Sequence, residues 1–86
     1  MVSYDENTGE SAEKAIVVHA ENEEEGIAAE YEYLFKKFGL KGKNWNLKRQ
    51  SLLDFNNRYF DKMEIELSDG SSKSLFFDIT EFFGKV

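Results

Sequence analysis

"YFDKMEIELSDGSSKSLFFDI", Tyr59 to Ile79, decides how this chain is read. Met63, Ile65 and Leu67 alternate with Lys62, Glu64 and Glu66, the period of a strand with one face turned to a core. After "SDGSS" the rhythm resumes, with Leu75, Phe77 and Ile79 on one face. A two-residue Asp69-Gly70 turn would set Ile65 opposite Ser74 and send the two apolar faces to opposite sides. The faces agree only if the loop holds an odd number of residues. The spacing therefore predicts a bulged hairpin with Gly70 in the left-handed region. Just upstream, "SLLDF" (51–55) runs into Asn56-Asn57, residues that tolerate positive φ and suit a tight turn. A three-stranded antiparallel meander is expected, its first stretch, 45–55, beginning as a strand or as a helical turn.

A small sheet with an apolar face needs a cover, and the segment from about 23 to 38 can supply it. Asn22 is placed as N-cap, with Glu25 three residues on to return a bond to the cap's own amide. Ile27, Tyr31, Leu34, Phe35 and Phe38 recur at helical spacing. Lys36 and Lys37 suit the C-terminal end of the dipole, and Gly39 suits the stop. Ahead of the helix, "KAIVVHA" (14–20) reads as a strand, with Ile16, Val18 and Ala20 on one face and Val17 and His19 on the other. The expected fold class is α+β, one amphipathic helix packed on a small antiparallel sheet in the order β-α-β-β-β. Residues 1–13, polar and acidic, read as a disordered tail, and 14–86 as a single domain. "TEFFGK" is expected to add a short C-terminal helical turn capped by Thr80.

Composition fits that picture. An 86-residue chain with 41% apolar and 15% aromatic residues has enough for one core. With no cysteine there is neither a disulfide frame nor a zinc-thiolate site. No apolar run has signal-peptide length or the ~20 residues of a membrane span, so a cytoplasmic protein without membrane contact is expected. The net charge of −6 is unevenly spread: 33–53 holds six bases and no acid, while 1–32 holds ten acids and one lysine.

Chemistry is harder to find. "DENTGE" has its glycine one place early for a calcium loop and lacks the closing glutamate. No phosphate-binding glycine loop or serine elbow is present. His19 is a lone imidazole, read as a strand-face residue. Asp54, Asp61 and Asp78 lie near apolar residues that would raise a carboxyl pKa, but nothing in the sequence joins them. Asp78 is read as a hydrogen-bond acceptor for the amide of Thr80 or Glu81. No enzyme, cofactor or metal is expected. The favoured reading is a protein-interaction or regulatory module that binds a partner protein or a second copy of itself. Its candidate surface is Phe60, Phe76, Phe82 and Phe83, since Phe60 and Phe76 share the face of Glu64 and Glu66. The competing account, preferred on size, has the C-terminal turn fold back over that face. The alternative function is binding of anions or single-stranded nucleic acid by the basic stretch 36–49, through Lys41, Lys43, Lys48 and Arg49 with Trp45 as a stacking platform.

Overall fold

The computed structural model describes residues 3–5 and 7–85. One helix, α1 (Glu23–Phe38), lies against a five-stranded mixed sheet built from β1 (Ser3–Asp5), β2 (Ile16–His19), β3 (Trp45–Phe55), β4 (Arg58–Leu67) and β5 (Ser72–Asp78). The sheet order is β1-β2-β5-β4-β3. The meander β3-β4-β5 is antiparallel, β2 joins β5 in parallel, and β1 pairs antiparallel with β2.

The α+β class holds, with two corrections to its details. The sheet has five strands and is mixed, because the chain leaves β2 through α1 and returns through β3 and β4 to lay β5 parallel beside β2. The C-terminal segment turns without becoming a helix: the amides of Phe82 and Phe83 both bond the Ile79 carbonyl. Thr80 caps nothing there. Its hydroxyl donates to Asp78 Oδ1 (2.7 Å) and accepts from the Tyr59 amide (3.0 Å).

The segment 1–13, expected as a tail, contributes β1, and Gly9 is buried with its carbonyl bonded to the Phe76 amide. Met1, Val2 and Glu6 of that segment, and Val86 at the end of the domain reading, lie outside the described residues.

Turn chemistry sets the register. Asn56 and Asn57 both have positive φ (56° and 59°) and place Phe55 opposite Arg58. In the second hairpin the Leu67 amide donates to the Ser71 carbonyl, the Leu67 carbonyl accepts from the Gly70 amide, Gly70 sits at φ +90°, and Met63 faces Leu75. The odd loop thus keeps Met63, Ile65, Leu75 and Phe77 on the helix side, all of them buried. Stretch 45–55 is strand from its first residue, with a bulge between Leu47 and Arg49.

The helix begins as the sequence suggests, the Glu25 amide bonding Asn22 Oδ1 at 2.9 Å, though Glu25 Oε1 reaches back to the amide of Glu21, one residue before the cap. Its roll differs from the expected stripe. Gly26, Ala29, Glu30, Tyr33 and Leu34 face inward, whereas Ile27 and Phe35 are exposed. Small residues decide this: a Cβ on Gly26 would lie 2.5 Å from the Phe82 ring, so only glycine lets that ring pack against the helix. Two turns further on, Tyr33 meets Tyr4 and Phe77 edge-on, with centroids 5.5 and 5.7 Å away.

Candidate functional site

The inward roll of α1 brings a carboxyl into the interior. Glu30 is 1% exposed, and its Oε2 has no hydrogen-bond partner among the described groups. Opposite it, β4 presents Asp61, also buried, on the same face as Met63 and Ile65 because the strand alternates. The two carboxyls are neighbours, and Gln50 Nε2 of β3 donates to Asp61 Oδ2 at 2.7 Å. Burial, and then the Asp61 carboxyl beside it, pushes the Glu30 pKa from 4.5 up to about 10. Glu30 is therefore protonated at neutral pH. The same burial, with the two acids, raises the Tyr31 phenol.

This pair lies in a cleft of about 400 Å³ between α1 and the β3–β4 corner. Ile27 and Leu52 stand at its rim, 45% and 55% exposed, and Ile79, Phe82 and Phe83 wall it. Glu23, also lining it, anchors the wall by accepting from the Gly84 amide at 2.8 Å. Phe83 stacks on Tyr59 with centroids 4.4 Å apart. A carboxyl pair could perform acid–base chemistry, but these two acids adjoin each other in the interior, whereas the acids of glycosidases flank the substrate about 5–9 Å apart. The arrangement is suited to binding: an apolar-walled cleft with an unsatisfied acid in it.

The residues singled out in the sequence are placed elsewhere. Trp45 is 2% exposed, donates Nε1–H to the Gly39 carbonyl (2.9 Å) and stacks on Tyr31, so its face is not offered to a base. Lys41 lies over the Tyr31 ring at 5.2 Å, on the helix side. Lys43 is in the exposed loop before β3. Lys48 sits at the bulge, 3.4 Å from Ser72 Oγ, and Arg49 pairs in register with Glu64, on the face away from the helix. The five residues are thus divided between two faces and the sheet edge.

Nor do the four phenylalanines meet. Phe82 is in the helix-side core and Phe83 at the cleft wall, while Phe60 and Phe76 belong to the opposite face. The C-terminal segment folds back on the helix side, and the far face is served by other groups. Phe60 shares a hollow with Ala12, Ala15 and Val17, and Lys62 Nζ sits 5.5 Å above the Phe76 ring. Asp78 accepts from the Thr80 amide (3.1 Å), as expected, and also from Arg58 Nε (2.6 Å). His19 bridges Glu81 and Asp5, at 2.8 and 3.1 Å, on the exposed face of β2.

A larger hollow of about 670 Å³ is lined by Lys14, Lys36, Lys37 and Tyr33. Lys36 is paired with Glu32 at 3.0 Å and Lys37 donates to the Tyr33 hydroxyl, so these cations are already answered. The acid cleft carries the stronger chemical demand. Among the described residues no group of three or more acids and histidines is placed to hold a metal, and no helix is long and apolar enough to cross a membrane.

Sequence reasoning did not single out Glu30. The available signal was Gly26, a glycine within a helix, four residues before it on the same face. Compared with family models, with curated proteins and with solved structures, the chain matches none.

Proposed function

We propose that this protein is a non-enzymatic interaction module that takes an extended segment of a partner protein along the outer edge of β3, beside the acid cleft. The observation that supports this reading is a contrast along β3, the terminal strand of the sheet. Its first half is guarded in the usual ways, by the bulge after Leu47 and by the charges of Lys48 and Arg49. The four residues that follow, Gln50 to Leu53, have regular register, no charge, and the exposed Leu52, before the charged Asp54. That stretch borders the cleft, where Ile27 offers a second apolar contact. An unguarded edge beside a side-chain pocket is the combination used in strand addition, in which backbone bonds give affinity and the pocket gives selectivity. Lys48 and Arg49, first considered as an anion site, act here as edge guards.

The test is selection of displayed random peptides on the wild-type protein, followed by measurement of their affinity for Leu52→Glu. That variant changes an exposed side chain, so its melting curve should match wild type. Peptides that lose at least about tenfold, or about 1.4 kcal/mol, on Leu52→Glu support the reading. Peptides that bind both proteins equally, or a dimer that Leu52→Glu dissociates, overturn it in favour of another surface or of self-pairing.

A further inference from the structure

Resting on the docking surface just described, we infer that the cleft is a receptor for an alkyl cation, the side chain of an arginine or lysine on the partner, with Glu30 and Asp61 as its counter-ions. Three independent features converge. The first is Glu30 itself, a side chain enclosed by the protein that lines a cavity large enough for a long side chain and keeps its Oε2 without a hydrogen-bond partner. A buried polar atom without a partner is costly, and a donor entering the cleft would relieve that cost. The second is the wall. Ile27, Leu52 and Phe83 are positioned for the methylene stem of such a side chain, whose charged end would then reach the acids. The third is charge. Glu23 joins Glu30 and Asp61 in lining the cleft, no cation lines it, and the chain as a whole is at −6, which favours approach of a cation over an anion.

Binding of this kind exchanges a proton for the ligand. Glu30 holds its proton because it is buried against another acid. An incoming guanidinium or ammonium supplies the compensating charge, so Glu30 ionises as the cation seats and one proton leaves to solvent. The groups that face Glu30 set this balance: Asp61 from β4, Glu23 and Tyr31 from its own helix, and neutral Gln50 from β3, while the C-terminal wall contributes only Ile79, Phe82 and Phe83. Because the free protein carries the proton at any pH below about 10, affinity should rise with pH, by close to tenfold per unit between pH 6 and 8.

Butylguanidinium, butylammonium and the neutral isostere butylurea can be titrated into the uniformly 15N-labelled protein and followed by amide shifts. The two cations should move the amides of Ile27, Glu30, Gln50, Leu52 and Asp61, with the stated pH dependence, and butylurea should not. Glu30→Gln should lose at least tenfold in cation affinity while its remaining spectrum is unchanged. Equal binding of butylurea, a pH-independent cation affinity, or full retention in Glu30→Gln would overturn the inference. A second arm separates it from the docking reading. In peptides that depend on Leu52, each Arg or Lys is replaced by citrulline or norleucine. If every such peptide keeps its affinity, the cation receptor falls and the docking surface stands. If no peptide depends on Leu52, the docking surface falls, and the small-molecule titration alone decides the cation site.

Discussion

Asp78 and Glu30 are both carboxyls withdrawn from water, on opposite faces of one sheet, and their surroundings treat them in opposite ways. Burial draws the Asp78 pKa up, but Arg58 and Thr80 outweigh it, and the group ends below the usual carboxylate range. Glu30 faces another acid and ends far above it. Both carboxylate oxygens of Asp78 have a donor, whereas Glu30 keeps one oxygen without any. A buried charge that is fully answered ties structure together; here it fastens the C-terminal segment to β4 through Arg58, and Thr80 extends the tie to the Tyr59 amide. A buried acid that is left unanswered costs stability, and such costs gather where a protein binds something.

The comparison breaks most visibly at Asp78. Asp78→Ala should cost about 3 kcal/mol, since it strands the Thr80 amide and removes a charge-assisted bond. Urea unfolding at pH 7 measures it. A change under about 1 kcal/mol would mean that the Arg58 side of the sheet is no better fastened than the Glu30 side.

Glu30→Gln should move stability the other way. Keeping a carboxyl protonated at pH 7 when its ordinary pKa is 4.5 costs about 3 kcal/mol, and the extra buried N–H of glutamine returns about 1 of that, leaving a gain of about 2 kcal/mol. The sign follows from the raised pKa. The proton held by the folded state stabilises it fully below pH 4.5, and that contribution is lost as pH climbs toward about 10. Asp78, with its lowered pKa, contributes above the ordinary carboxylate range and fades as pH falls. The advantage of Glu30→Gln over wild type should therefore vanish at pH 4 and widen at pH 8.5. A constant difference across that range would show Glu30 to be an ordinary carboxylate.

The strands were legible because a period of two survives whatever packs on them: the parity argument around Asp69-Gly70 fixed the hairpin, and Asn56-Asn57 fixed the other turn. The roll of the helix was not legible. Two adjacent stripes compete, and hydrophobicity favours Ile27, Tyr31 and Phe35, whereas close approach favours Gly26, Ala29 and Leu34. Sterics won, because Phe82, some 56 residues later in the chain, needs the space over Gly26. The site was hidden for the same reason. Glu30, Gln50 and Asp61 are brought together only by that roll and by the β3–β4 register, and an acid is the residue type least expected inside. Strand β1, "SYD", is too short and polar to announce itself; only its pairing with β2 makes it a strand.

A third acid setting sharpens the contrast at its weak end. His19 stands between Asp5 and Glu81 in the open, so that its protonated form is a cation between two carboxyls, as the cleft is inferred to hold one. Hydrogen bonds that the ring donates to Glu81 and then to Asp5 raise the imidazole pKa. The folded state thus binds the proton better, so the stabilisation is complete below about pH 6.5 and is lost as pH rises through the raised value. Water screens all three groups, which limits the effect to about 0.5 kcal/mol. His19→Gln should lower the urea midpoint slightly at pH 5.5, leave it unchanged at pH 8.5, and lose its effect at pH 5.5 in 1 M salt. A loss that persists at pH 8.5 would make His19 a packing residue, and the exposed triad would then say nothing about how two acids accept a cation.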